Sequence, residues 1–91
     1  MNESSTIRID RITQADAAHV LGVARFEGGR MPGGFMEKLI EAAFLADHDN
    51  LERLSHGFEG ITAGVSVYKR MPGGVQILQG IAAGQPYMPE Q

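Results

Sequence analysis

The pentapeptide Arg-Met-Pro-Gly-Gly occurs twice in this chain, at residues 30–34 and again at residues 70–74. Its chemistry suits an anion. Pro-Gly reverses the chain, consecutive glycines leave backbone N–H groups open to a ligand, and arginine can clamp a phosphate or carboxylate with two parallel hydrogen bonds. In the first copy, Arg30, Gly33 and Gly34 stand directly ahead of an apolar stretch that opens at Phe35. If that stretch is a helix, its unpaired first amides and positive dipole end would join the site. In the second copy, Lys69 lies beside Arg70, followed by Gly73 and Gly74. Tyr68 or Phe35 could stack on a base. If the corners met across a bundle or a two-fold axis, Arg30 and Arg70 would line one pocket. Each copy also has a plainer reading. The first would be a helix–helix connector whose following Glu37 already answers the dipole. The second would be a basic helix end, its cations complementing the dipole, followed by a turn. Neither carries the Lys-Ser or Lys-Thr of a phosphate-binding P-loop.

Other chemistry is sparse. His48, Glu52 and His56 recur every four residues, which would put two imidazoles and a carboxylate on one helical face. Such a set could hold a metal and would make the chain a small metal-dependent enzyme. The HExxH pattern of zinc hydrolases is absent, and the turn-formers Asp47, Asp49 and Asn50 interrupt the face. There is no cysteine, hence no disulfide and no thiolate ligand. Ser55 and His56 are neighbours whose side chains would diverge on a helix, and Ser66 lacks the context of a nucleophile elbow. Glu37 and Glu41 read as a solvated helix face. The expectation is therefore a binding protein with no catalytic residues and no cofactor.

The elements that must position these groups follow from length and pattern. Ninety-one residues form a single domain, residues 1–91, with 1–6 and 84–91 tail-like. A chain this short buries only about 60–65% of its unfolded surface. With 43% apolar residues, few aromatics and no Trp, its core is thin, and a homo-oligomer would complete it. The formal charge is −3 and the cations are scattered, so no basic face for duplex nucleic acid is in sight, whereas a small anion needs only a local pair. No apolar run is long enough for a membrane partner, and the polar start lacks the order of a secretory signal, so a cytoplasmic location is expected.

Residues 7–12 alternate apolar and polar and read as an extended arm. Thr13 caps a helix with Asp16 three residues on, and Gly28 and Gly29 end it. Residues 35–47 form the strongest helix, with Phe35, Leu39, Ile40, Ala43 and Phe44 on one face. Residues 47–50 read as a break or tight turn in which Asp47, Asp49 or Asn50 can cap a short helix over 51–56, closed by Gly57 as a left-handed residue. Residues 58–70 carry two patterns. Ile61, Ala63, Val65 and Val67 alternate like a strand, whereas Ile61, Val65 and Tyr68 share a helix face. The seven-residue recurrence of Phe44, Leu51, Phe58 and Val65 favours the helix. Residues 75–79 fit a short strand or a helix. The fold class is mainly α: a small helical hairpin or bundle with short extended N- and C-terminal segments, completed by oligomerisation.

The pattern F-x3-L-I-x-A-x3-A-D from Phe35 to Asp47, then Asn50 with Leu54 and the Gly57-Phe58 turn, resembles a segment of short bacteriophage and prophage proteins. Glu59 stands where those proteins carry proline. The resemblance spans about a third of the chain, and its residues are structural. It implies a helix over 58–70. It also implies an accessory role, such as an inhibitor of host defence that either binds a host protein or sequesters a signalling nucleotide. The first expectation is capture of an anionic ligand by Arg30, Lys69 and Arg70. The alternative is a protein inhibitor or adaptor contacting a host factor through Met31, Met36, Met71, Met88 and residues 86–89.

Overall fold

The computed structural model describes residues 7–85 and Tyr87. Five α-helices form among them: α1 (Gln14–Ala24), α2 (Gly34–Leu45), α3 (His48–Ser55), α4 (Glu59–Arg70) and α5 (Gly74–Ala82). There is no strand among the described residues. The helical fold class expected from the pattern is the one observed.

The middle of the molecule is α4. Seven successive residues, 61–67, are buried, which a helix achieves only when neighbours cover it on every side. Helix α1 packs on one flank, α5 on another, and α2 and α3 cover the rest. The strand-like alternation within 61–67 arises because Ile61, Val65 and Val67 share this all-round burial with the small Thr62, Ala63, Gly64 and Ser66. Gly64 admits α1 closely, since a β-carbon there would lie 3.2 Å from Val20 Cγ2. Val20, Leu21, Ile40, Val65, Val67 and Leu78 are the largest fully buried side chains. Each helix except α3 therefore supplies at least one.

Local signals set the helix starts. Thr13 and Asp16 form a reciprocal capping box, with Asp16 N–H donating to Thr13 Oγ1 at 2.9 Å and Thr13 N–H to Asp16 Oδ2 at 3.0 Å. Asp47 caps α3 by accepting from Asn50 N–H at 2.8 Å. Three expectations need correction. Residues 7–12 are not extended; residues 9–11 form a 3-10 turn, with Arg11 N–H on the Arg8 carbonyl at 2.9 Å. With no strand beside it, this backbone satisfies itself locally. Helix α1 stops before Gly28, at a left-handed Arg25 (φ 69°), where Phe26 N–H reaches back to the Leu21 carbonyl at 3.0 Å. Gly57 is not left-handed, and the residue closing α3, His56, keeps right-handed helical angles. Helix α5 instead ends on a left-handed Gly84 (φ 89°). The expected tail over 1–6, and that over 86 and 88–91, lies outside the described residues.

Candidate functional site

A concavity of about 400 Å³ lies between α3, α4 and the segment before α1. Its α4 wall comprises Glu59, Thr62, Ala63, Ser66 and Arg70, which share one face at helical spacing. Helix α3 supplies His48, Leu51, Glu52 and Ser55, and Ile7 and Arg8 close one end. The hollow exists because α4 presents small side chains toward a helix of only eight residues.

Charges are arranged unevenly around it. Glu59 faces two arginines, Arg8 Nη1 at 3.8 Å and Arg11 Nε at 3.9 Å. These pairs are half-exposed, so each contributes little to stability, but together they offset the carboxylate. Glu52 Oε1 lies 4.0 Å from His48 Nε2, an ion pair only when the imidazole is protonated. Arg70 has no carboxylate within 4.0 Å among the described residues. It shares the cavity wall with the hydroxyls of Thr62 and Ser66, both more than nine-tenths buried. Thr62 Oγ1 donates to the Glu59 carbonyl at 3.1 Å, and Ser55 Oγ to the Glu52 carbonyl at 2.6 Å.

The residues singled out by the repeated motif do not gather here. Arg70 alone of them lines the cavity. Lys69 is adjacent in sequence but turns to the other side, where Nζ donates to the Ala46 carbonyl at 3.2 Å and so caps the C-terminus of α2. Tyr68 is wedged between Phe44 and Phe26, with ring centroids 5.3 and 5.9 Å away, as part of the packing. Arg30 is held against α1: its N–H donates to the Ala18 carbonyl at 2.9 Å, and its Nη2 lies 3.3 Å from His19 Nε2. Gly33 and Gly34 border open space at the start of α2, and Phe35 beside them is 70% exposed, its ring 6.2 Å from that of Phe58. Gly73 is left-handed (φ 70°) and caps α5. Gly74 is buried, and its N–H is committed to the Met71 carbonyl at 3.0 Å, so it has no amide to offer an anion.

Identical pentapeptides thus take different structures. In the first, the glycines are open and the arginine is tied to α1. In the second, the last glycine is packed and the arginine borders the cavity. The metal alternative is also corrected. His48 and Glu52 line the cavity but His56 does not, and no group of three His, Asp or Glu able to hold a metal occurs among the described residues. The candidates drawn from the motif omit Arg8, Glu59, Thr62 and Ser66. The usable signal was the spacing of Glu59, Thr62, Ser66 and Arg70, a small polar stripe within an otherwise apolar helix.

A second hollow of about 350 Å³ lies between Ile9, Ile12, Ile81 and Tyr87, with Asp10 and Gln85 at its edge. No helix among the described residues is long and apolar enough to cross a membrane. No family model, curated protein or solved structure matches the chain.

Proposed function

We propose that this is a non-enzymatic accessory protein that captures a small anionic ligand, with Arg70 as the principal contact. The observation that carries this reading is the position of Arg70, a guanidinium without a carboxylate partner among the described residues, on the wall of the cavity between α3 and α4. The volume suits a small molecule. Ser66 supplies a hydroxyl that can turn toward bound oxygens, and that of Thr62 can do so by leaving the Glu59 carbonyl. Glu52, His48 and the Arg8–Glu59 pair would select against a ligand that is anionic throughout and favour one with an anionic end and a hydrogen-bonding body. A nucleotide immune signal fits that description, and the likeness of residues 35–58 to phage accessory proteins supports the choice. Arg30 is held against α1 and does not line this cavity, so it takes part only if a neighbouring copy brings it there.

Titration calorimetry against inorganic phosphate and a panel of linear and cyclic nucleotides tests the reading. Binding that Arg70→Ala abolishes and Arg30→Ala preserves supports capture at the cavity. Failure to bind any member of the panel, or binding indifferent to Arg70, overturns it.

A second reading, a protein-binding inhibitor or adaptor, has its own support in the exposed apolar side chains Met31, Phe35 and Leu45. Met36 and Met71, expected as contacts, are instead partly buried against the core, and Met88 lies outside the described residues. Capture of a partner that Phe35→Ala releases would favour this reading over ligand capture.

A further inference from the structure

Helix α2 has two faces. Ile40 and Ala43 are fully buried, with Met36 and Phe44 packed beside them. The opposite side carries Phe35, Lys38, Ala42 and Leu45, all exposed, at spacings of three, four and three residues. Phe35 is 70% exposed and Leu45 87%, the two most exposed large apolar side chains described. That spacing is the seam of a two-helix coiled coil. A helix that has already given one face to its own core has no internal use for a second.

We infer that this face docks against the same face of a second copy, with the two α2 helices antiparallel about a two-fold axis passing near Ile40. The sequence of the stripe reads as its own complement in that register. Antiparallel seams pair each position with the one equally far from the axis on the other side. Phe35 then meets Leu45 of the other copy, and Lys38 meets Ala42. The small Ala42 leaves room for the lysine stem to lie across the seam. Its ammonium arrives beside Glu41 of the other copy, and the two-fold repeats the contact. Within one chain Lys38 Nζ is already 3.7 Å from Glu41 Oε1, and both side chains are solvent-accessible, so the four charges would form an alternating cluster. A parallel arrangement would instead set Lys38 against Lys38. Antiparallel packing also places opposite helix-dipole ends together. Phe58, its ring tilted against that of Phe35 at 6.2 Å, extends the apolar surface at each end of the seam.

A twelve-residue helix is roughly 18 Å long, so the contact is at the small end for a specific interface, and a concentration-dependent dimer is expected. This assignment stands apart from ligand capture, because none of the four seam residues lines the cavity.

Sedimentation equilibrium over a range of protein concentrations tests it. Wild-type protein is expected to dimerise. Leu45→Glu should weaken the dimer at least about tenfold in Kd. Because Leu45 is outside the core, circular dichroism should show an intact fold. The decisive arm uses charge reversal. Lys38→Glu alone and Glu41→Lys alone should each weaken self-association, and an equimolar mixture of the two variants should restore a mixed dimer. A monomer at every concentration overturns the inference. So does a dimer that survives Leu45→Glu, or single charge variants that do not recover on mixing.

Discussion

Gly74 sits against Val67 so closely that a β-carbon on it would lie 2.2 Å from the Val67 carbonyl oxygen. The contact lets α5 turn back from the end of α4. It has no counterpart in the first pentapeptide, where a β-carbon on Gly34 meets nothing within 4 Å. Gly74→Ala is therefore expected to destabilise the protein by about 2–3 kcal/mol, because backbone must move to admit one methyl group. Gly34→Ala should be neutral or stabilising by up to about 0.5 kcal/mol, since it removes glycine from a helix at a compatible position. Urea unfolding of the two variants measures the contrast. Equal effects would mean that the two corners are structural equivalents after all.

A second close approach holds the loop after α1. A β-carbon on Gly22 would lie 2.3 Å from the Arg30 carbonyl oxygen, and one on Gly29 would lie 2.3 Å from Gly22 nitrogen. The loop is laid flat on the helix, with Arg30 N–H bonded to the Ala18 carbonyl. Gly22→Ala is expected to push the loop off α1 and expose that amide. Hydrogen exchange at Arg30 should then accelerate at least about tenfold, one factor of ten corresponding to about 1.4 kcal/mol of local opening.

The two polar caps should differ in reach although their chemistry is alike. Loss of a side-chain cap costs about 1 kcal/mol. Thr13 starts α1, which supplies Ala17, Val20 and Leu21 to the core, so Thr13→Ala should lower global stability by that amount. Asp47 starts α3, which buries only Leu51. Asp47→Ala should appear first as faster exchange confined to α3, with a smaller shift in the global urea midpoint.

Much of this fold was legible in the chain, and the reasons are local. Thr13 announces its helix because a short oxygen-bearing side chain before an apolar run has a definite task at unpaired amides; of Asp47, Asp49 and Asn50, all able to cap, the structure uses Asp47 and so starts α3 at His48, three residues before the expected 51. Of the face expected from Phe35, Leu39, Ile40, Ala43 and Phe44, the part formed by Ile40, Ala43 and Phe44 packs on the core, because one-sided burial leaves a helical period, whereas Phe35 is 70% exposed on the other side. Residues 61–67 were ambiguous because burial on all sides erases that period. The left-handed Arg25 gave no signal, because a non-glycine residue in that conformation is selected by the fit of the following loop. The cavity was hidden for a different reason. A hollow between helices is set by small side chains facing one another, and Ala63 and Ser66 look like ordinary helix residues until α3 is placed opposite. The repeated pentapeptide drew attention to four glycines and two arginines as one unit. Their environments are made by distant segments, Ala18 for one copy and α3 for the other, which identical local sequence does not encode.

Aromatic residues near the motifs separate cleanly by burial. Tyr68 is packed between Phe26 and Phe44, while Phe35 is mostly exposed. Tyr68→Ala should cost about 2–3 kcal/mol, at or just below the lower end of the range for removing an aromatic from a core, because the ring is only partly buried. Phe35→Ala should change monomer stability by no more than about 0.5 kcal/mol. Thermal unfolding at a protein concentration low enough to suppress association measures both. A large loss from Phe35→Ala under those conditions would show that its contact with Phe58 belongs to the fold itself.

Lys69 and Arg70 are neighbours with separate tasks, and substitution should divide them. Lys69 Nζ donates to the Ala46 carbonyl at the end of α2. A cation at a helix C-terminus contributes about 0.3–1 kcal/mol, so Lys69→Met should lower stability by that amount and leave anion binding intact. Arg70 makes no side-chain hydrogen bond or ion pair to the described residues, so its removal leaves no buried partner unsatisfied. Arg70→Ala should leave unfolding within about 0.5 kcal/mol of wild type while weakening a bound phosphate or nucleotide by about tenfold or more. Restoring the charge as lysine should recover only part of the affinity, because an ammonium lacks the paired donors that fit two oxygens at once. Calorimetry and urea unfolding on the three variants give a two-by-two pattern: stability changes only at 69, affinity only at 70. If Arg70→Ala instead destabilises the fold and Lys69→Met removes ligand, the second pentapeptide holds its anion on the α2 side, and the cavity between α3 and α4 is not the site.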